Sequence, residues 1–363
     1  MKAALRRMAL VLTAASGALP CAARAGTVGT LGDSLQISGF VQATYQSASR
    51  DVNRQIVGRL FAHDQSQFTL EAFELGLDRP VATNRRSAGF TARLLYGSAA
   101  TYTHSAGLDL GPQADLTQAF AIVNLPTRTG SVQLSAGKMV TMMGLEVIES
   151  TLNPNLSVGN QFVFVENFTD LGLDVNWTID SRWSTRWRVT NGWDVAVDNN
   201  ASSSAMGRVG FVPDAKTNLA VLGYYGPEQA GNSSDPRYGG EFLGSRSFGS
   251  HSVTVQLDQG RDDAVSASWW GAGVWATLSF NPSASLALRA DVVDDSDGAR
   301  TSGALGYPAL NAQQLSSLTA TLNLRPVAGI LVRPEIRYDR SDQAAFDGHH
   351  EQLAFAVGAA CTF

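Results

Sequence analysis

Residues 171–180 read Leu171-Gly172-Leu173-Asp174-Val175-Asn176-Trp177-Thr178-Ile179-Asp180, an apolar side chain at every second position with Gly, Asp, Asn or Thr between. Successive side chains of an extended chain leave on opposite faces, so this stretch has one apolar and one polar face. The last residues repeat the pattern. Leu353, Phe355, Val357, Ala359, Cys361 and Phe363 alternate with Gln352, Ala354, Ala356, Gly358, Ala360 and Thr362. In 330–339, Ile330, Val332, Pro334, Ile336 and Tyr338 oppose Leu331, Arg333, Glu335, Arg337 and Asp339. A sheet whose two faces meet different solvents produces this alternation.

Working outward from these stretches, the spacing predicts sixteen strands: 34–46, 66–78, 87–97, 116–127, 131–139, 170–180, 183–194, 203–213, 216–226, 238–246, 250–259, 266–280, 284–294, 312–325, 329–340 and 351–363. Most are as long as a strand needs to be to cross a bilayer at a tilt of roughly 45°, and longer than the 5–6 residues usual in globular sheets. The gaps between them alternate long and short, with 79–86 the one blurred case. Long loops outside and tight turns inside give that rhythm in an antiparallel membrane barrel, and an even strand count leaves both termini on the periplasmic side. Pro334 removes one ladder donor inside a strand, so a bulge or local widening is expected there.

The charges identify the wet face. Arg93, Arg186, Arg188, Arg208, Arg289, Arg333 and Arg337 share the non-apolar faces with Glu335 and Asp339. A basic side chain facing lipid near the bilayer midplane costs about 2–4 kcal/mol, so these residues are assigned to a water-filled lumen. A barrel of this strand number is wide enough to leave one. Tyr45, Tyr96, Trp183, Trp193, Tyr225, Trp269, Phe280 and Tyr338 gather near strand ends, where aromatic girdles form. The expected fold is all-β: a transmembrane antiparallel β-barrel with long extracellular loops and short periplasmic turns.

Composition agrees with that reading. Of 363 residues, 16% are charged and 44% hydrophobic, against roughly 25% charged in soluble domains. With 27 Lys+Arg and 32 Asp+Glu the formal net charge is −5, which excludes a basic nucleic-acid footprint. Two cysteines cannot build a disulfide scaffold or a zinc cluster. Lys2, Arg6 and Arg7 precede an apolar run, Met8 to Leu19, and Ala23-Arg24-Ala25 supplies small residues at a cleavage site. Residues 1–25 therefore read as a signal peptide removed on export, and 26–363 as a single outer-membrane barrel domain. Phe363 closes the last strand, and a terminal aromatic there resembles the signal by which barrel-assembly machinery recognises outer-membrane proteins, which makes that machinery an expected partner.

The longest gap, about 140–169, carries Glu146, Glu149, Asn153, Asn155, Asn160 and Glu166 among Met142, Met143, Leu145, Val147, Ile148, Phe162, Val163 and Phe164. An apolar loop has to pack somewhere, and an open lumen offers the inner wall. The loop is expected to fold inward as a constriction, with Glu146 and Glu149 exposed to the channel and Asn153 and Asn155 beside them. The seven arginines form the basic wall opposite, giving a transverse field that orients solutes. Arginine outnumbers lysine heavily and binds carboxylate or phosphate bidentately, so anionic or zwitterionic solutes fit.

Other chemistries find less support. Asp291, Asp294, Asp295, Asp297 and Gly298 resemble a calcium loop, but no Glu closes it at the required spacing. His349-His350 has no third ligand at metal spacing. No arrangement of His63, His104 or His251 with a serine suggests a barrel hydrolase. No catalytic residue, metal or cofactor is assigned.

The stretches Gly137-Lys138, Gly144-Leu145-Glu146-Val147-Ile148-Glu149-Ser150, Asn153-Pro154-Asn155-Leu156-Ser157, Gly226-Pro227-Glu228, Asp294-Asp295-Ser296-Asp297-Gly298 and Arg333-Pro334-Glu335-Ile336-Arg337-Tyr338-Asp339 resemble the outer-membrane β-barrel porin-2, or OmpL-like, family. The resemblance spans roughly 35–363. It departs from the family at Phe168-Thr169-Asp170-Leu171-Gly172, where a threonine-rich stretch would stand. It implies an outer-membrane channel through which small polar solutes and ions diffuse passively. The alternatives are a substrate-selective channel for sugars or organic anions, or a plugged structural or adhesive barrel. Outer-membrane lipid and lipopolysaccharide are the expected surroundings, and a homotrimer is expected by analogy with related porins.

Overall fold

A computed structural model describes residues 29–30, 35–307 and 310–363; the expected signal peptide at 1–25 lies outside the described residues. A two-residue strand, β1 (Gly29–Thr30), pairs with the start of β2. The first half of the wall comprises β2 (Gln36–Ala48), β3 (Gln67–Arg79), β4 (Ser87–Tyr96), β5 (Ala114–Pro126), β6 (Ser131–Val140), β7 (Thr169–Thr178), β8 (Trp183–Thr190) and β9 (Ser204–Asp214). The second comprises β10 (Thr217–Gly226), β11 (Arg237–Phe248), β12 (His251–Asp262), β13 (Ala267–Asn281), β14 (Ala284–Asp295), β15 (Gln313–Leu324), β16 (Ile330–Ser341) and β17 (Glu351–Thr362). Each pairs antiparallel with the next, and β17 pairs back onto β2, Ala354 opposite Ala48 and Thr362 opposite Phe40. The result is a closed sixteen-strand barrel with no free edge.

All sixteen predicted strands are present. The clearest difference in extent is β8, expected to reach 194 but ending at Thr190. Gly192 (φ 126°) and Asp194 (φ 56°) adopt left-handed backbone there, which an extended strand cannot continue. At Pro334 the β15–β16 ladder skips from Thr321–Glu335 to Leu324–Val332 with the register unchanged. The proline opens the ladder locally without inserting a residue.

The faces follow the alternation. Leu173, Val175 and Trp177 of β7 are exposed on the outside, and Asp174 between them is buried. The connections at one end are 80–86, 127–130, 179–182, 215–216, 249–250, 282–283 and 325–329; all but one of the connections at the other end, 263–266, are longer. Among the described residues no helix is long and apolar enough to cross a membrane, so the strands do the crossing. The core therefore lies inside the barrel. Val57, Leu60 and Phe61 pack with Ile148, Phe162, Phe164, Tyr307 and Phe346, all contributed by long connections.

Candidate functional site

The 141–168 connection lies inside the lumen, and it runs along inward-facing side chains from β9 to β17. Met142 and Met143 pack with Met206, Leu222, Tyr224 and Trp193. The Gly144 N–H donates to Glu241 Oε2 (2.5 Å) and the Leu145 N–H to Gln256 Oε1 (3.0 Å). Further along, Asn155 Nδ2 donates to Thr321 Oγ1 (2.8 Å), and Leu156 and Ser157 present their N–H groups to Glu335. A short helix, α1 (Asn160–Phe164), follows; its first N–H donates to Asp291. The wall is shaped to receive the segment: a Cβ at Gly358 of β17 would stand 2.5 Å from Leu156 Cδ1.

This seat changes the role of several predicted site residues. Glu146, expected to face the channel, is buried against the wall. Its carboxylate accepts Arg289 Nη1 at 2.7 Å and the Gly159 N–H at 2.6 Å, and the Glu146 and Arg289 side chains are both almost fully enclosed. Arg333 spans from Asn323 Oδ1 (2.9 Å) to the carbonyls of Ser150 (2.8 Å) and Asn153 (2.7 Å). Arg337 donates to the Val158 carbonyl (2.6 Å) and to Asp339 (2.6 Å). Asn153 is buried, bonding both ways with the Val147 backbone, and Asn155 is buried at Thr321. Arg289, Arg333 and Arg337 thus hold the segment down rather than line a passage. The physical reason is local: a loop without regular structure leaves many carbonyls unpaired, and guanidinium groups below satisfy them. Arg188 is also enclosed, on Asp170 (2.6 Å), Asp174 (3.0 Å) and the Val140 carbonyl.

The remaining predicted residues lie on the other arc, β3 to β9. Arg93 and Arg186 keep side-chain exposures of 18% and 21%, against 0% for Arg289 and Arg188. Arg186 holds Asp174 (2.8 Å) and Arg208 donates to the Met142 carbonyl (2.6 Å). Arg93 pairs with Asp78 (2.6 Å) and approaches Glu74 (3.8 Å). Gly76 makes that possible, since a Cβ there would sit 2.7 Å from the guanidinium. Glu149 reaches across from the loop: Gln118 Nε2 of β5 donates to it at 2.9 Å, and its carboxyl is close enough to Glu74 to interact. Burial, opposed in part by Arg93 and Gln118, pushes the Glu149 carboxyl above the usual range.

Sequence reasoning did not find Glu74, Asp78 or Gln118. Nothing local in the sequence distinguishes them from other polar strand residues. It also missed Arg59, whose connection turns inward to reach Ser157 Oγ (3.1 Å) and Asp339 (3.4 Å). The buried Val57, Leu60 and Phe61 nearby were the available signal. Among the described residues no group of three or more His, Cys, Asp or Glu side chains could hold a metal ion.

With this geometry in hand, comparisons with known proteins are informative. In fold, the chain is similar to the outer-membrane channel DcaP of Acinetobacter baumannii (TM-score 0.63, 12% identity, 91% of this chain and 97% of that one). It is equally similar to an anion-selective porin from Comamonas acidovorans (TM-score 0.63, 11% identity, 91% and 99%). OmpF of Salmonella typhi, in complex with daunomycin, gives 0.62 at 10% identity over 92% and 99%. No curated protein matches the sequence. The family model for beta-barrel porin-2, OmpL-like, matches residues 34–363. The chain belongs to that outer-membrane porin family, and is a channel rather than an enzyme.

Proposed function

We propose that ions and small polar solutes cross this porin along the β3–β9 arc, between the wall and the free edge of the 141–168 loop. By this reading the constriction lies where Glu149 meets Gln118, near Glu74, Asp78 and Arg93. One observation carries the reading: the arginines of the far arc are spent on the loop, while Arg93 and Arg186 stay partly open to water. Three carboxyl groups stand around one guanidinium, so the constriction turns acidic as pH climbs through the raised range of Glu149, and it then favours cations and zwitterions. This reverses the preference expected from arginine abundance, and it sets the channel apart from the anion-selective porin whose fold it shares. A homotrimer in the outer membrane, exported by a cleaved signal peptide, remains our expectation; porins of this fold include a trimeric OmpT of Vibrio cholerae.

Reversal potential in planar bilayers under a salt gradient tests the reading. The wild type is expected to prefer cations, and Glu149→Gln combined with Glu74→Gln to move the potential toward zero. Anion preference in the wild type would sink the assignment. Absence of any current would return the barrel to the plugged, structural class.

A further inference from the structure

The tight turns of one arc carry a surplus of exposed bases. Arg79 ends β3, Arg85 and Arg86 lie in the 80–86 turn, Arg128 in 127–130, Arg182 in 179–182 and Lys216 in 215–216. The side chains of Arg79, Arg85, Arg86, Arg128 and Arg182 make no hydrogen bond or ion pair among the described residues. Two carboxylates in these turns are engaged by their own backbone. Asp180 accepts the N–H groups of Arg182 and Trp183, and Asp214 accepts that of Lys216 and lies 3.8 Å from Arg246. The remaining turns, 249–250, 282–283 and 325–329, contain Arg325 as their single basic residue.

These bases belong to the outer surface as much as to the rim. Arg79 pairs across the ladder with Phe90 and shares the outward face with Leu75 and Leu77. Arg246 lies on the same face of β11 as Phe242, its guanidinium 5.8 Å over the Phe248 ring. Just below the bases stands an aromatic belt, Trp177 exposed on β7 and Trp183 stacked on Phe211 at 4.3 Å. Aromatic rings of that kind sit at headgroup depth. Turns this short cannot lift a charge far beyond them.

We infer that this arc, from β3 to β11 at the tight-turn end, is a docking surface for anionic phospholipid headgroups of the adjoining leaflet. Unpaired guanidiniums beside an aromatic belt fit phosphate at that depth by charge, hydrogen-bond geometry and position. Each base near an anionic membrane surface adds to the attraction, so several together select lipid without a pocket. The surface lies outside the passage, so the inference stands apart from the proposed solute path.

The test is tryptophan quenching in vesicles, using the full barrel and brominated phosphatidylglycerol or brominated phosphatidylcholine. The wild type is expected to favour the anionic lipid roughly threefold or more. The variant R79Q/R85Q/R86Q/R128Q/R182Q is expected to show no preference, with single-channel conductance retained. If that variant does not fold, the wild type at about 1 M salt serves instead, since screening should remove the preference. Equal quenching by both lipids in the wild type overturns the inference. So does a preference that survives both the substitutions and the salt, or binding to soluble peptidoglycan fragments in place of the lipid.

Discussion

The two arcs of the barrel start from the same sequence rule and arrive at opposite roles. On β11–β17 the inward charges are buried beneath a segment they hold in place; on β3–β9 Arg93 and Arg186 keep about a fifth of their side-chain surface open to water, although Arg188 beside them is enclosed. Arg289 and Arg93 both sit mid-wall on inward faces. One has Glu146 and the Ser157 carbonyl above it and no exposed surface; the other has Asp78 and Glu74 beside it and keeps 18% of its side chain exposed. Facing the lumen is a property of the strand, whereas lining the passage is decided by where the loop lies.

The largest way to break that comparison is to remove the anchor. Arg289→Ala leaves the Glu146 carboxylate buried without its cation, which typically costs about 3–5 kcal/mol. Equilibrium unfolding should show that loss, and single-channel current should rise and grow noisy as the loop lifts. An unchanged conductance would mean that the loop does not limit flow. Phe162→Ala comes next. It empties a site where Phe61 and Phe168 meet the ring at 6.0 and 5.1 Å, at about 3 kcal/mol. Its effect should be on stability and loop noise rather than ion preference.

A third change sharpens the comparison through pH. Burial, with Glu241 and Asp258 alongside, raises the Glu166 carboxyl well above the usual carboxylate range. The folded state therefore binds a proton that the unfolded state has released. This contribution to stability is complete below the ordinary carboxyl pKa and is lost as pH climbs through the raised one. Unfolding midpoints measured upward from the ordinary carboxyl range should fall as pH rises, and Glu166→Gln should flatten the decline. A profile with the same slope in both proteins would remove Glu166 from the account. The smallest effect is expected on the open arc. Arg186→Gln breaks a pair with the buried Asp174, which keeps Arg188 as a partner, and should cost about 1.5 kcal/mol. It should still alter ion preference measurably, which Arg337→Gln at the covered arc should do only by unseating the loop.

How much of this was legible beforehand follows from the range of the forces involved. The strands could be read because each faces two solvents, and Leu173, Asp174, Val175, Asn176 and Trp177 record that residue by residue. The constriction could be read only in part. An apolar stretch such as Phe162-Val163-Phe164 announces that it must be covered, but not by what. That Glu146 would meet Arg289 while Glu149 met Gln118 depends on contacts across the barrel, and neither carboxylate differs from the other in its neighbourhood along the chain. Glu74 was hidden for the same reason.

One bond pair has a consequence for how the molecule comes into being. The Gly39 N–H donates to the Phe363 carbonyl, and Phe363 returns the favour to Gly39, each at 3.0 Å. The seam is thus sewn by residues near opposite ends of the chain. Until β17 meets β2, the wall is an open ribbon with two sticky borders, and every earlier partial product is an invitation to aggregate. Contacts of such long reach in sequence are slow to form. A chain shortened by its last few residues would thus be expected to fail in assembly rather than in conductance, accumulating as an unsealed sheet although every residue of the passage is present.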